Sequence, residues 1–118
     1  MAYTGPERRK HLRISNAHFV VSYHIFQESD NIDVSQTKNL SLGGMLLTTN
    51  REFQPDTNLA LEIRLPFDPN PIILVGKVLE SRQIIKDLLY DTRLEFLSVD
   101  ENHRKLIAKT VEHYLKKG

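Results

Sequence analysis

The 118-residue chain contains no cysteine. That absence removes disulfide frameworks, thiolate nucleophiles and cysteine-based zinc sites, and it is compatible with a reducing compartment. Long apolar runs are missing too. The most apolar short run, Ile72-Ile73-Leu74-Val75, falls far short of the ~20 residues that a membrane-spanning helix needs. The opening Met1-Ala2-Tyr3-Thr4-Gly5-Pro6 carries no apolar stretch of the kind found in a secretory signal. These absences predict a soluble, cytoplasmic protein with no membrane insertion. An excess of one charge is also lacking: 16 Lys and Arg stand against 15 Asp and Glu, a formal net charge of +1. Near-neutrality argues against DNA or RNA as the partner, because a duplex-binding domain is usually much more basic.

What remains is enough for one domain. Single domains most often run to about 100–150 residues, and 40% hydrophobic residues supply a core without metal or disulfide staples. There is no internal repeat and no low-complexity linker. Residues 1–16 show no sustained apolar period and read as a flexible N-terminal arm. From residue 17 the pattern alternates. Phe19, Val21, Tyr23 and Ile25 point one way and His18, Ser22 and His24 the other, as in a half-buried strand.

Residues 27–36 are polar, with Asp30-Asn31 marking a turn. A strand leads into Asn39, and another runs through residues 45–49 after the Gly43-Gly44 break. Leu59, Leu61, Ile63 and Leu65 alternate with polar or small residues, the clearest strand signal in the chain. Pro66, Pro69 and Pro71 enclose a loop, since proline cannot donate to a sheet ladder. Residues 72–82 form a long strand with a bulge at Gly76, and Tyr90, Thr92, Leu94 and Phe96 form the inward face of the last strand. The period then changes: Leu106, Ile107, Thr110, Val111, Tyr114 and Leu115 recur at three and four, giving one helical stripe. Ser98 with Glu101 has capping-box spacing, and Asp100 is a rival N-cap. About six short strands followed by one helix predict a small antiparallel β-barrel plugged by a C-terminal helix.

Two clusters carry the chemistry. Arg8-Arg9-Lys10-His11-Leu12-Arg13 holds four of the 16 basic residues. Arginine suits planar, bidentate phosphate recognition and also stacks on aromatic faces. Taken alone, the run matches a solvated tail; Pro6 could also start a helical turn placing Arg9 and Arg13 on one face. The second cluster, Asn39-Leu40-Ser41-Leu42-Gly43-Gly44, offers an amide, a hydroxyl and side-chain-free backbone amides. Taken alone, it matches a capped turn after a strand. It is no hydrolase elbow, because Gly-x-Ser-x-Gly requires glycine where Asn39 stands. Together the clusters look like two halves of a nucleotide clamp.

Arg9-x-x-x-Arg13, preceded by Arg8 and followed by a strand and then Asn39-x-Ser41-x-x-Gly44, resembles the PilZ domain family of bacterial receptors for cyclic di-GMP (c-di-GMP). The resemblance covers nearly the whole chain and implies a six-stranded antiparallel barrel, residues 17–118, with a C-terminal helix. It implies that Arg9 and Arg13 grip the ligand's phosphates and guanines from the arm. Arg8 corresponds to the extra arginine of members that take up a self-intercalated ligand pair. Asn39 corresponds to the position binding a guanine edge, Ser41 to a neighbouring polar contact and Gly44 to a close backbone approach. Two features depart from the family pattern. Gly76-Lys77-Val78 is followed by Leu79 rather than a bulky aromatic, and Arg93 stands where a glycine often precedes Phe96 by three residues.

Other polar residues suggest no enzyme, cofactor or metal. His18 and His24 share a strand face but lie about 20 Å apart, too far for shared ligation. His103 and His113 are nearly three helical turns apart, no carboxylate pair stands out, and Asp30 and Asp33 fall in a polar loop. The expectation is a non-catalytic c-di-GMP receptor that signals to a protein partner in motility, pilus, biofilm or exopolysaccharide control. The alternative is a PilZ-like adaptor working by protein contact independently of ligand.

Overall fold

The structure is a computed structural model, and it describes residues 13–14, 18–28 and 32–117. Six strands and a helix follow in order: β1 (Val20–Ile25), β2 (Asp33–Leu40), β3 (Gly44–Thr49), β4 (Asn58–Ile63), β5 (Ile72–Ile85), β6 (Leu89–Ser98) and α1 (Glu101–Lys117). Neighbouring strands are all antiparallel in the order β1-β2-β3-β6-β5-β4, and β4 pairs back to β1 to close the barrel. Closure removes the unpaired edges that an open sheet of this size would expose. The expected barrel with a C-terminal helix is the observed one.

Period-two alternation explains the interior. Val21 and Tyr23, Met45 and Leu47, and Leu59, Leu61 and Ile63 all turn inward and are buried. Phe53, in the connection between β3 and β4, closes one end, with its ring edge-on to Tyr23 at 6.2 Å. Helix α1 covers the core through Ile107, Thr110 and Val111, all buried. Tyr114 meets Phe19 edge-to-face at 5.5 Å, and His113 meets Phe67 of the β4–β5 loop at 5.2 Å. Leu115, expected on the buried stripe, is exposed at the far end of the helix. Asp100 is the N-cap: its Oδ1 accepts the backbone N–H of His103 at 2.9 Å. No described helix is long and apolar enough to cross a membrane.

Three departures from the sequence reading have physical causes. β2 begins at Asp33, inside the stretch expected as loop, because Tyr23↔Asp33 through Val20↔Gln36 complete a backbone ladder that polar side chains do not oppose. β5 continues to Ile85 rather than stopping at Arg82, since β6 pairs with it out to Leu89. The irregularity expected at Gly76 is present, but the extra residue is Leu97 on the partner strand: Val75 faces Ser98 while Gly76 faces Phe96. A second shift lies between Val78 and Glu80, where Leu79 is the extra residue. A third sits in β2 between Thr37 and Asn39. It lets Thr37 and Leu40, an odd number of residues apart, both point inward.

Candidate functional site

β2 ends at Leu40 and β3 starts at Gly44, so the chain must reverse within a few residues. Ser41 builds that reversal. Its backbone N–H donates to the Gly44 carbonyl at 2.9 Å, and its Oγ accepts the N–H groups of Gly43 and Gly44 at 3.2 Å each. The same hydroxyl donates to the Gly44 carbonyl at 3.3 Å. Ser41 is buried, and these bonds occupy its hydroxyl within the turn. Gly44 is required by the neighbouring strand. A Cβ there would lie 2.0 Å from the Leu94 carbonyl oxygen, so β6 can approach only a residue without a side chain. The Phe96 N–H donates to the Gly43 carbonyl at 2.9 Å and ties the turn to β6.

Asn39 sits at the β2 bulge, where the ladder to β3 would otherwise lose a bond. Its Oδ1 accepts the Leu46 N–H at 2.9 Å and repairs the gap. On the other side of β2, Ile14 forms an isolated antiparallel bridge with Leu40, each N–H donating to the other's carbonyl at 3.0 Å. Ile14 belongs to the segment expected as an arm, yet its side chain is buried in the core. This anchor fixes Arg13 beside the turn. Arg8 and Arg9 lie outside the described residues.

Arg13 and residues 41–44 form one wall of a cleft of about 500 Å³, a size typical of small-molecule sites. The opposite wall comes from β6 and the start of α1, including Arg93, Leu97 and Arg104. Both bulged residues, Leu79 and Leu97, line it and are close to half exposed. Both leucines keep the outward phase set by their buried neighbours Val78 and Phe96, and the extra residue shifts the pairing with the partner strand beside each. The lining contains three guanidinium groups, from Arg13, Arg93 and Arg104, and a single carboxylate, Glu95. Lys77 already faces that carboxylate, with Nζ 3.6 Å from its Oε1. The cleft therefore combines excess positive charge with apolar patches, a surface suited to an anion carrying flat rings.

The structure brings Arg13, Ser41 and Gly44 together at this cleft. Asn39 stands next to it on β2 but is not part of its lining. Sequence reasoning treated Arg93 and Leu79 only as departures, and both line the cleft. It missed Arg104. The available signal was a cation in the opening turns of a helix, where the macrodipole favours acidic side chains. Among the described residues no group of three or more His, Asp or Glu could hold a metal ion.

The sequence profile of the PilZ domain matches residues 7–113. The chain belongs to the PilZ domain family. Solved PilZ proteins share the fold. The Bacillus subtilis inhibitor of motility MotI/DgrA is 22% identical, with a TM-score of 0.76 over 94% of this chain and 53% of that one. The PilZ domain of Escherichia coli YcgR with c-di-GMP is 18% identical, with a TM-score of 0.66 over 94% of each chain. The K. pneumonia MrkH–c-di-GMP complex is 16% identical, with a TM-score of 0.72 over 94% of this chain and 54% of that one. This PilZ chain thus spans about half the length of MotI/DgrA and of MrkH. No curated protein sequence matches it.

Proposed function

We propose that this PilZ domain is a receptor for c-di-GMP that catalyses no reaction and signals by reshaping the surface around its cleft for a protein partner. The observation that carries the reading is the convergence of Arg13 with the residue 41–44 turn in one basic cleft. YcgR and MrkH, which share the fold, were solved with c-di-GMP. Arg9 and Arg13 take the phosphates and guanine faces, and Arg8 admits a second, intercalated ligand molecule. Charge-assisted hydrogen bonds contribute about 1.5–3 kcal/mol each, so two or three arginines supply a large part of the roughly 8 kcal/mol of a micromolar complex.

The turn residues act differently from the arginines. Ser41 and Gly44 shape the surface rather than reach for the ligand. Asn39 has its oxygen committed to Leu46, which leaves the amide nitrogen as the group facing a guanine. That donor matches the O6 and N7 acceptors of the base. Leu79 and Leu97 supply apolar contact where an aromatic cover is absent.

Titration calorimetry with c-di-GMP tests the reading. Binding in the micromolar range is expected, with Arg9→Ala and Arg13→Ala removing most of it at nearly unchanged melting temperature. No heat at high micromolar ligand refutes it. Arg8→Ala should shift stoichiometry from two ligands towards one.

A second reading, an adaptor that works without ligand, is favoured by one observation. The outer part of the β5–β6 hairpin exposes Ile84, Ile85 and Leu88. A pull-down whose captured partner is indifferent to c-di-GMP would select that reading.

A further inference from the structure

We infer that Arg93 is a reserve anion contact of the cleft, held by Glu80 in the structure and transferred to a phosphate oxygen of the ligand on binding. The inference rests on the reading of the cleft as a c-di-GMP site and assigns it a further specificity-determining residue.

Arg93 lies on β6 with Leu46 of β3 on one side and Glu80 of β5 on the other. It lines the cleft together with Arg13 and Arg104. Its tether to Glu80 is loose: Nη1 stands 3.9 Å from Oε2, and the two side chains are 43% and 54% exposed. The length is the outer limit of an ion pair, and water screens both ends, so little holds the guanidinium there. The bulge at Leu79 sets Glu80, rather than Leu79, opposite Arg93, so the only restraint across this pair is that long, exposed contact.

A second observation points the same way. Arg93 Nε is buried and has no hydrogen-bond partner, the single such side-chain atom among the described residues. A guanidinium offers five N–H donors in a planar fork, and a buried donor without an acceptor is unfavourable. Moving the side chain towards the cleft releases this atom and presents the fork to a phosphate, which accepts two parallel bonds. Glu80, half exposed, is then left to water at small cost. The neighbouring carboxylate, Glu95, already faces Lys77 and does not compete for Arg93. Glycine at this position would have no such group, so the contact is a property of this chain's own sequence.

Calorimetric titration of c-di-GMP into wild type, Arg93→Ala, Glu80→Gln and the double variant tests the exchange, with melting curves recorded for each. Arg93→Ala is expected to weaken binding about tenfold, the loss of one charge-assisted contact. Glu80→Gln should tighten it about threefold, because the ligand no longer competes with an exposed ion pair. In the Arg93→Ala background Glu80→Gln should change nothing, a coupling that a merely structural arginine would not produce. Wild type that binds with Arg93→Ala at equal affinity overturns this inference and leaves the receptor reading intact. So does Glu80→Gln with unaltered affinity. Wild type that fails to bind overturns both.

Discussion

Gly44→Ala offers a direct test of what the glycine of the turn is for. An ideal Cβ at this position meets the Leu94 carbonyl oxygen at 2.0 Å, its carbon at 3.1 Å and the Glu95 Cα at 3.3 Å. A relaxed C···O contact lies near about 3.3 Å, so β3 and β6 must part locally by more than about 1 Å. Both obstructing groups are backbone, and neither has a rotamer that moves it aside. The strain falls on the Gly44↔Glu95 and Met45↔Leu94 pairs, and on the Phe96 N–H bond to the Gly43 carbonyl. Overpacking of this kind costs about 1–3 kcal/mol. Weakening two backbone bonds adds about 0.5–1.5 kcal/mol each. The sum, roughly 2–6 kcal/mol, is a large fraction of the ~5–15 kcal/mol that holds a typical domain together. With a urea slope of about 2 kcal/mol/M, the unfolding midpoint should fall by about 1–3 M. The measurement is made without ligand. If Gly44 served only to let a ligand approach, the midpoint would hardly change. A shift smaller than about 0.3 M at an unaltered slope would therefore refute the structural assignment.

Two further outcomes follow from the same geometry. Asn39→Ala leaves the Leu46 N–H without its acceptor and should cost about 1–2 kcal/mol, whereas Asn39→Asp keeps an acceptor oxygen and should melt near wild type. Equal melting of the two variants would remove Oδ1 from the ladder. Alkaline stability depends on Tyr23. Burial pushes its phenol above the usual 10.0 and Asp33 adds to the rise, while the Asn50 backbone and Arg51 oppose it. The folded state thus holds the proton more tightly than the unfolded chain. Stability from this group is full below pH ~10 and is lost as pH rises from there through the folded value. Tyr23→Phe should abolish that share of the alkaline loss, and parallel alkaline unfolding curves for the two proteins would contradict it.

Legibility differed sharply between the elements and the site. The alternation at residues 59–63 and the three-four spacing at residues 106–114 record burial directly, because each side chain's environment is set by its own position along the chain. The arginine run and the residue 39–44 cluster were legible as chemistry. That Arg13 and the residue 41–44 turn share a cleft was legible only through resemblance to a family. Ile14 illustrates the limit. Within a polar, aperiodic stretch nothing marks one isoleucine as an anchor, and the bridge to Leu40 exists only once β2 is in place. The roles of Ser41 and Gly44 were hidden for a similar reason: the atoms that occupy the hydroxyl and forbid a Cβ belong to the turn and to β6.

By itself the sequence determined the absence of cysteine, the nearly balanced charge, the strand periods, the helix after the last strand and the two polar clusters. Those properties are local, carried by residue type and by spacing within one element. Tertiary structure decided which distant side chains share a cleft. Leu79 and Leu97, which line it, stand at register shifts between β5 and β6, and such a mismatch between two strands is contained in neither strand's own pattern. Arg93 and Arg104 join Arg13 there because β3, β6 and the start of α1 converge, a consequence of barrel closure that no single segment encodes.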